Sequence, residues 1–225
     1  MNYASTKVRL VSYSQPAEEF KHEGLTNAQD LVAFCAKVSN PSNQMNMETS
    51  ERLIKYLIRN SHWSPLEMVS VCLEVETTRD IARQFLRHRS FSFQEFSQRY
   101  ADPTKDLDFV IREARLQDDK NRQNSIVVDD AELQAWWDAK QKFIIEIVKQ
   151  TYDEAIKRKI AKEQARAILP EGNTVSRLYA NGTLRSWIHY IQLRNGNGTQ
   201  KEHIDIAVAC AKVIAEIFPL ADELV

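Results

Sequence analysis

The stretch "EMVSVCLEVETTRDIARQFLRHR", Glu67 to Arg89, changes its hydrophobic period halfway along, and that change decides the fold class. In the first half Val69, Val71, Leu73 and Val75 alternate with Met68, Ser70, Cys72, Glu74 and Glu76, the period of two that turns one face of a strand toward a core. In the second half Ile81, Phe85 and Leu86 recur at helical spacing, with Arg83, Gln84 and Arg87 on or near the opposite side and Thr77 or Thr78 available as a cap. A strand feeding a helix is expected, with the helix ending at Arg87-His88-Arg89.

Working outward, "KVRLVSY", Lys7 to Tyr13, has the β-branched and aromatic content of a short strand. Asn27 to Val38 reads as a helix with Leu31, Val32, Cys35 and Val38 on one face, broken by "NPSN". A second helix is expected over about Glu48 to Asn60, with Leu53, Ile54, Leu57 and Ile58 inward. On the other side, Asp102 to Asp130 is polar and reads as loop and short strand around "DFVIRE" and "SIVV". A long amphipathic helix is expected from about Ala131 to Arg158, using Leu133, Trp136, Trp137, Phe143, Ile144, Ile147, Val148 and Tyr152 as its apolar positions. "AKEQARAILP" reads as a helix stopped by Pro170. "TLRSWIHYIQLRNGNG" puts Leu184, Trp187, Ile188 and Ile191 on one helix face and Arg185 with His189 on another, and an apolar helix covers about Glu202 to Phe218. The fold class is α/β in the α+β sense: a single domain, residues 1–225, with a mixed β-sheet flanked by long helices.

The bulk composition agrees with one globular domain. Of 225 residues, 43% are hydrophobic and 27% charged, and five glycines and six prolines leave little room for a disordered linker. The formal net charge of -1 makes the arginine-rich segment a local feature and not part of a basic nucleic-acid-binding stripe. Cys35, Cys72 and Cys210 are widely separated and flanked by apolar residues, the pattern of buried reduced thiols in a cytoplasmic protein, and no zinc spacing occurs. The first residues lack a signal-peptide core, and no apolar run is long enough for a membrane helix.

The chemistry concentrates in "RHRSFSFQEFSQRY", Arg87 to Tyr100. Gly-x-Gly-x-x-Gly, Walker, Gly-x-Ser-x-Gly and His-Glu-x-x-His patterns are absent, so anion recognition falls to side chains. Arginine suits that task because its planar fork donates paired hydrogen bonds to phosphate or to a carbonyl-bearing ring edge. If Ser97 to Tyr100 is extended, Ser97 and Arg99 project to the same side as a phosphate clamp. Arg87, His88 and Arg89 are consecutive and cannot all face one ligand from a regular helix, which suggests two ligands or two chains. Phe91, Phe93 and Phe96, with Trp136 and Trp137, read as core or interface packing.

These residues resemble a known family. Arg87, His88, Arg89, Ser92, Ser97 and Arg99 reproduce the Arg-His-Arg-x-x-Ser-x-x-x-x-Ser-x-Arg motif of the flavin-dependent thymidylate synthases. His62, Ser64 and Pro65 are similar to that family's His-x-Ser/Thr-Pro turn, and "ARAILP" and "LRSWIHYIQLR" look like its remaining nucleotide and flavin elements, so the likeness spans roughly residues 50 to 218. The resemblance implies a homotetramer that binds FAD, with active sites shared between subunits. It implies conversion of dUMP to dTMP, with methylenetetrahydrofolate as carbon donor and NADPH as reductant. Carried over by position, Gln84, Arg87, Glu95, Ser97, Arg99, Arg166 and Arg194 look like the dUMP set, Arg166 coming from a neighbouring chain. His62, Ser64, Arg87, His88, Arg89, Arg185 and His189 look like the FAD set. No metal is implied.

Arg194, placed by the resemblance at the pyrimidine ring, carries the permanent charge needed to stabilise negative charge developing there, and is the expected catalytic group. None of the three cysteines has the Pro-Cys-His context of the thiolate-dependent thymidylate synthases. Glu95 is open between a ligand to the nucleotide sugar and a structural partner of a nearby arginine. The chain departs from the family at "YANGTLR", where either Asn181 or Thr183 stands in for an asparagine, and at Gly198, where some relatives carry histidine. Two other readings are a single-stranded nucleic-acid binding module using the arginines and aromatics, and a non-catalytic helical assembly protein. Charge balance and the lack of lysine in the segment speak against the first.

Overall fold

The computed structural model describes residues 2–4, 6–196 and 198–224. In chain order the elements are β1 (Lys7–Tyr13), α1 (Glu18–His22), α2 (Ala28–Ala36), α3 (Ser50–Arg59), β2 (Ser70–Thr78), α4 (Arg79–Phe85), β3 (Ser92–Glu95), α5 (Pro103–Asp106), β4 (Arg115–Gln117), β5 (Ser125–Val127), α6 (Ala131–Lys157), α7 (Lys162–Ala165), β6 (Val175–Thr183), α8 (Leu184–Arg194) and α9 (Lys201–Ala215). A single helical turn, Ser64–Met68, leads into β2.

The alternation of Glu67 to Glu76 becomes β2, and the strand continues through Thr78 before α4 starts without a loop. Thr78 takes the cap position, but its hydroxyl accepts from the Arg112 guanidinium at 2.6 Å instead of from the helix. The main sheet has the order β1-β2-β6-β3. Every neighbouring pair is antiparallel, so the expected mixed sheet is corrected. The cause lies at the β2–α4 junction: the Arg79 amide donates to the Thr174 carbonyl at 2.9 Å, so β6 begins where β2 ends and must run back along it. A two-stranded hairpin, β4 with β5, stands apart.

β6 was not expected from the sequence. Its inward set is Ser176, Leu178, Ala180 and Gly182, which is too small and too polar to resemble the Val/Leu alternation of β2. In register, Leu73 opposes Ala180 and Val75 opposes Leu178, and these side chains are fully buried together with Trp187, Ile188 and Ile191 of α8 and Ile206, Ala207 and Cys210 of α9. Each aliphatic side chain so buried contributes about 1.5–3 kcal/mol. The Trp187 indole donates to the Val71 carbonyl at 3.0 Å and ties α8 to the sheet. A smaller cluster holds Phe109, Ile111, Ile145, Tyr152, Ala165 and Leu169.

The opposite face of the sheet is a ladder of charges. Lys7 pairs with Glu76 at 2.9 Å, Arg177 with Glu76 at 2.8 Å, Arg9 with Glu74 at 2.5 Å, and the Tyr179 hydroxyl donates to Glu74 at 2.9 Å. Burial pushes the Glu74 carboxyl up, but the hydrogen bonds from Arg9 and Tyr179 outweigh it and hold the group below the usual range. Beyond β2, the outer strand β1 carries a register irregularity between Leu10 and Ser12 that turns Val11 outward.

Two apolar faces differ from expectation. Val38 lies just past α2 and is 67% exposed, because the helix ends at Ala36. In α6, Tyr152 and the unexpected Ile145 and Gln141 face inward, whereas Trp136, Phe143, Ile144 and Ile147 are exposed. The helix has two apolar stripes, and one chain covers only one of them.

Gly182 sits where β6 passes under Phe91. A Cβ there would lie 2.5 Å from the Phe91 ring, closer than packed atoms approach. Gly182→Ala is expected to displace Phe91 at a cost of about 1–3 kcal/mol. The melting temperature should fall by roughly 3–10 °C, read by thermal unfolding; an unchanged value would mean that the ring is free to move.

Candidate active site

The arginine-rich segment is clamped at both ends. α4 stops at Phe85, so Arg87, His88 and Arg89 occupy the turn after the helix and not its last residues. The His88 amide donates to the Phe85 carbonyl at 3.0 Å, and the Ser186 hydroxyl donates to the Ser90 carbonyl at 3.1 Å. Phe91 packs edge-on against Trp187 at 4.6 Å, and Phe93 against Phe85 at 5.3 Å. These aromatics are seated on the core, as expected, and are not presented as a stacking platform. Ser92–Glu95 then pairs with β6.

The turn meets the end of α8. The Arg194 Nε donates to His88 Nε2 at 2.9 Å, joining residues 106 positions apart. Burial, and then the adjacent Arg194 charge, lowers the His88 pKa to about 4, so the ring is neutral and accepts the arginine's proton. Tyr190 packs across the same ring at 5.0 Å. Behind it lies His203 of α9, fully buried and lowered to about 3 by burial and by Arg194. His203 Nδ1 lies 3.3 Å from the Gln84 carboxamide oxygen.

Arg87 and Arg89 are exposed, and neither makes an ion pair or side-chain hydrogen bond among the described residues. Arg185 and His189 lie one helical turn apart on α8, with His189 exposed. Arg185 Nε is 3.8 Å from Glu67, and the Thr183 hydroxyl donates to the same carboxylate at 2.6 Å. Glu67 belongs to the Ser64–Met68 turn, so the "HWSP" segment and the start of α8 are joined through a residue that sequence reading missed. His62 is exposed and packs edge-on against Tyr56 at 5.9 Å. Thr183 is occupied by Glu67 and by the cap of α8, whereas Asn181 is exposed.

The second half of the motif faces a different cleft. Ser97 to Tyr100 is a turn and not extended: the amides of Tyr100 and Ala101 both donate to the Ser97 carbonyl at 3.1 Å. The Ser97 hydroxyl accepts from the Arg99 amide at 3.4 Å, so the expected same-side clamp gives way to a hydroxyl engaged with its own backbone. Arg99 pairs with Glu163 at 3.1 Å. Gln98, Glu163 and Arg166 line an open cleft with Arg79, Arg83 and Glu171. Glu95 accepts from the Ser176 hydroxyl at 2.8 Å and lies 3.4 Å from Arg79 and 3.6 Å from Arg83. Arg79, buried at the start of α4, was also missed, because a charged residue at a helix start reads as surface.

Cys210 is buried, while Cys35 and Cys72 are only half-buried, and all three are free. Burial raises the pKa of each thiol, so none is poised as a thiolate nucleophile. No cluster able to hold a metal ion occurs among the described residues, and no helix of the described residues is long and apolar enough to cross a membrane.

The two neutral histidines give stability a sign with pH. Their folded values, about 4 for His88 and about 3 for His203, lie below the unfolded value of about 6.5. Between those limits the unfolded chain binds protons that the folded chain refuses, so stability is complete above the unfolded value and declines as pH falls through that window. The melting temperature is expected to drop between about pH 7.5 and about pH 5, with a shallower drop in His203→Phe; a flat profile in the unmodified protein would contradict the buried neutral pair.

Known proteins of similar sequence and fold give the family. Residues 22–220 match the family model described as thymidylate synthase complementing protein. The chain is 48% identical over 212 residues to the flavin-dependent thymidylate synthase of Synechocystis sp., covering 94% of this chain and 95% of the relative. It is 46% identical over 211 residues to the probable flavin-dependent thymidylate synthase of Paramecium bursaria Chlorella virus 1, covering 94% of each. In fold it is similar to the crystal structure of a UMP/dUMP methylase, PolB, from Streptomyces cacaoi bound with 5-Br dUMP, with a TM-score of 0.80 and 25% identity over 100% of this chain and 96% of the other. The family model matches most of the chain and the two relatives are covered over more than nine-tenths of their length, so the chain belongs to the flavin-dependent thymidylate synthase family.

Proposed function

We propose that the Arg87–Arg89 turn, α8 and the Ser64–Met68 turn form the flavin side of a thymidylate synthase site, with the nucleotide held beside it at Gln84 and Arg194. The protein is an FAD-dependent methyltransferase that converts dUMP to dTMP, with methylenetetrahydrofolate as carbon donor and NADPH as reductant. The observation that carries the site assignment is the 2.9 Å bond from Arg194 to His88. It fixes the guanidinium through Nε and leaves both terminal nitrogens, which have no protein partner among the described residues, to face a ligand.

The donor set fits FAD. Arg87 and Arg89 are exposed cations without counter-ions among the described residues, and Arg185 is only loosely matched by Glu67 at 3.8 Å. Such unpaired guanidinium groups suit a pyrophosphate. His62, Ser64, His88 and His189 complete the proposed flavin set. FAD, when bound and reduced by NADPH, supplies the hydride needed to complete the methyl group. Arg194 binds the pyrimidine and stabilises negative charge developing on it. Because the thiols are held protonated, that charge stabilisation takes the place of thiolate addition.

The proposed nucleotide set also includes Arg87, Glu95, Ser97, Arg99 and Arg166. Glu95, bound to Ser176 and beside two arginines, favours the structural side of its two readings within one chain. Arg99 and Arg166 flank one cleft rather than the His88 turn, which supports their serving a site shared between copies. A homotetramer is supported by the exposed stripe of Trp136, Phe143, Ile144 and Ile147, apolar area of the kind that association buries. The unit of function is the whole chain, residues 1–225, and free cysteines favour the cytoplasm as its compartment.

The purified protein should bind FAD and form dTMP from dUMP only when methylenetetrahydrofolate and NADPH are present. Arg194→Ala should lower kcat by about 10²–10³, with a much smaller change in dUMP affinity; FAD-loaded protein that yields no dTMP would end the assignment. Light scattering should find a tetramer that Phe143→Glu with Ile147→Glu reduces to a smaller species, and a monomeric parent protein would refute the shared site.

A further inference from the structure

Gln84 is held by a chain of hydrogen bonds that runs away from the site into the protein. Its carboxamide nitrogen donates to the Gln200 side-chain oxygen at 3.0 Å. Gln200 in turn donates to Glu202 Oε2 at 2.9 Å, and the other oxygen of Glu202 accepts from Arg115 at 2.5 Å. On the far side, the Gln84 oxygen lies 3.3 Å from His203 Nδ1.

The direction of this chain is not free. Burial raises the Glu202 carboxyl, but the Arg115 bond outweighs it and keeps the group ionised, and an ionised carboxylate only accepts. Gln200 must therefore turn its NH2 toward Glu202 and its oxygen toward Gln84. Gln84 must then turn its NH2 toward Gln200 and its oxygen toward His203, and His203 must carry its proton on Nδ1. Each group has one arrangement that satisfies all the others, and reversing any amide would oppose two donors or two acceptors. His203 Nε2 is left as a buried acceptor with no partner.

We propose that His203, Gln200 and Glu202 are positioning residues for nucleotide recognition, which act by fixing the end of the Gln84 carboxamide that is turned to dUMP. What Gln84 offers a ligand is then one defined N–H and one defined lone pair, with no alternative flip. Arg115 balances the anchoring charge from the β4 strand, so the hairpin takes part in holding Gln84 through Glu202. The proposal rests on the assignment of Gln84 to the dUMP site.

The test is a binding cycle on FAD-loaded protein, titrated with dUMP in a calorimeter. His203→Phe keeps an aromatic ring against Tyr190 and Phe85, removes the Nδ1 donor and also removes the unpartnered Nε2. Its melting temperature should hold or rise, its flavin absorbance should be unchanged, and the Kd for dUMP should rise about tenfold. At saturating dUMP, kcat should stay within about threefold, since the effect lies in binding. Gln84→Leu should weaken binding to a similar extent, and the double variant should bind no more weakly than Gln84→Leu alone. Gln200→Met, which breaks the chain at a less buried point, should reproduce both results and decides the matter if His203→Phe does not fold. Unaltered dUMP affinity in these variants, or losses that multiply with that of Gln84→Leu, would overturn the positioning role. Failure of the parent protein to bind dUMP would instead overturn the site assignment.

Discussion

The pairing of β2 with β6 is the constraint on which the site depends. The two strands are matched over nine residue pairs, from Ser70 opposite Thr183 to Thr78 opposite Val175, and each runs directly into a helix. Because the pairing is antiparallel, α4 leaves one end of the ladder and α8 leaves the other. The two helices meet over the shared core, where Phe85 of α4 stacks on Tyr190 of α8 at 4.6 Å. A shift of register by one residue would turn every inward side chain outward and separate the helices. The meeting of His88 with Arg194 is thus a long-range consequence of strand geometry.

Around that meeting point, the protein separates charge that it neutralises from charge that it keeps available. On the outer sheet face Lys7, Arg9 and Arg177 are each matched to Glu74 or Glu76, and Arg112 is matched to Asp80 at 2.7 Å. At the turn after α4, Arg87 and Arg89 have no such match among the described residues, and the histidine between them is neutral. Unmatched cations cost stability by mutual repulsion, and in a chain with a net charge of -1 this local excess is sustained by the rigid frame of Phe91, Ser186 and Gly182 beneath it.

Much of this was legible in the sequence. The β2 alternation, the Leu184/Trp187/Ile188/Ile191 face of α8 and the family motif each depend on local spacing, and local spacing survives folding. What was hidden depended on partners far along the chain. β6 could not be read because its inward residues are small, as they must be where Phe91 crosses Gly182. Ser97 and Arg99 looked like a strand pair because alternation was assumed, whereas the Ser97 carbonyl and hydroxyl each find a backbone donor in a turn. His203 gave no signal in the sequence, since its contact with Gln84, more than a hundred residues earlier, exists only in the folded chain. The apolar positions of α6 were identified by their spacing, but periodicity does not tell which of them one chain covers: Tyr152 is buried, whereas Trp136, Phe143, Ile144 and Ile147 stay exposed.

The irregularity in β1 limits how the sheet of one molecule could be extended by another. An outer strand offers unpaired amides and carbonyls to any other outer strand, and a flat one invites sheet to grow from one molecule into the next. Here the slip between Leu10 and Ser12 interrupts the repeat, Lys7 and Arg9 line the strand, and the opposite border, β3, is only four residues long. Neither border is a good template for continuation. Growth of an open-ended fibre by strand addition is therefore discouraged at both borders of the sheet.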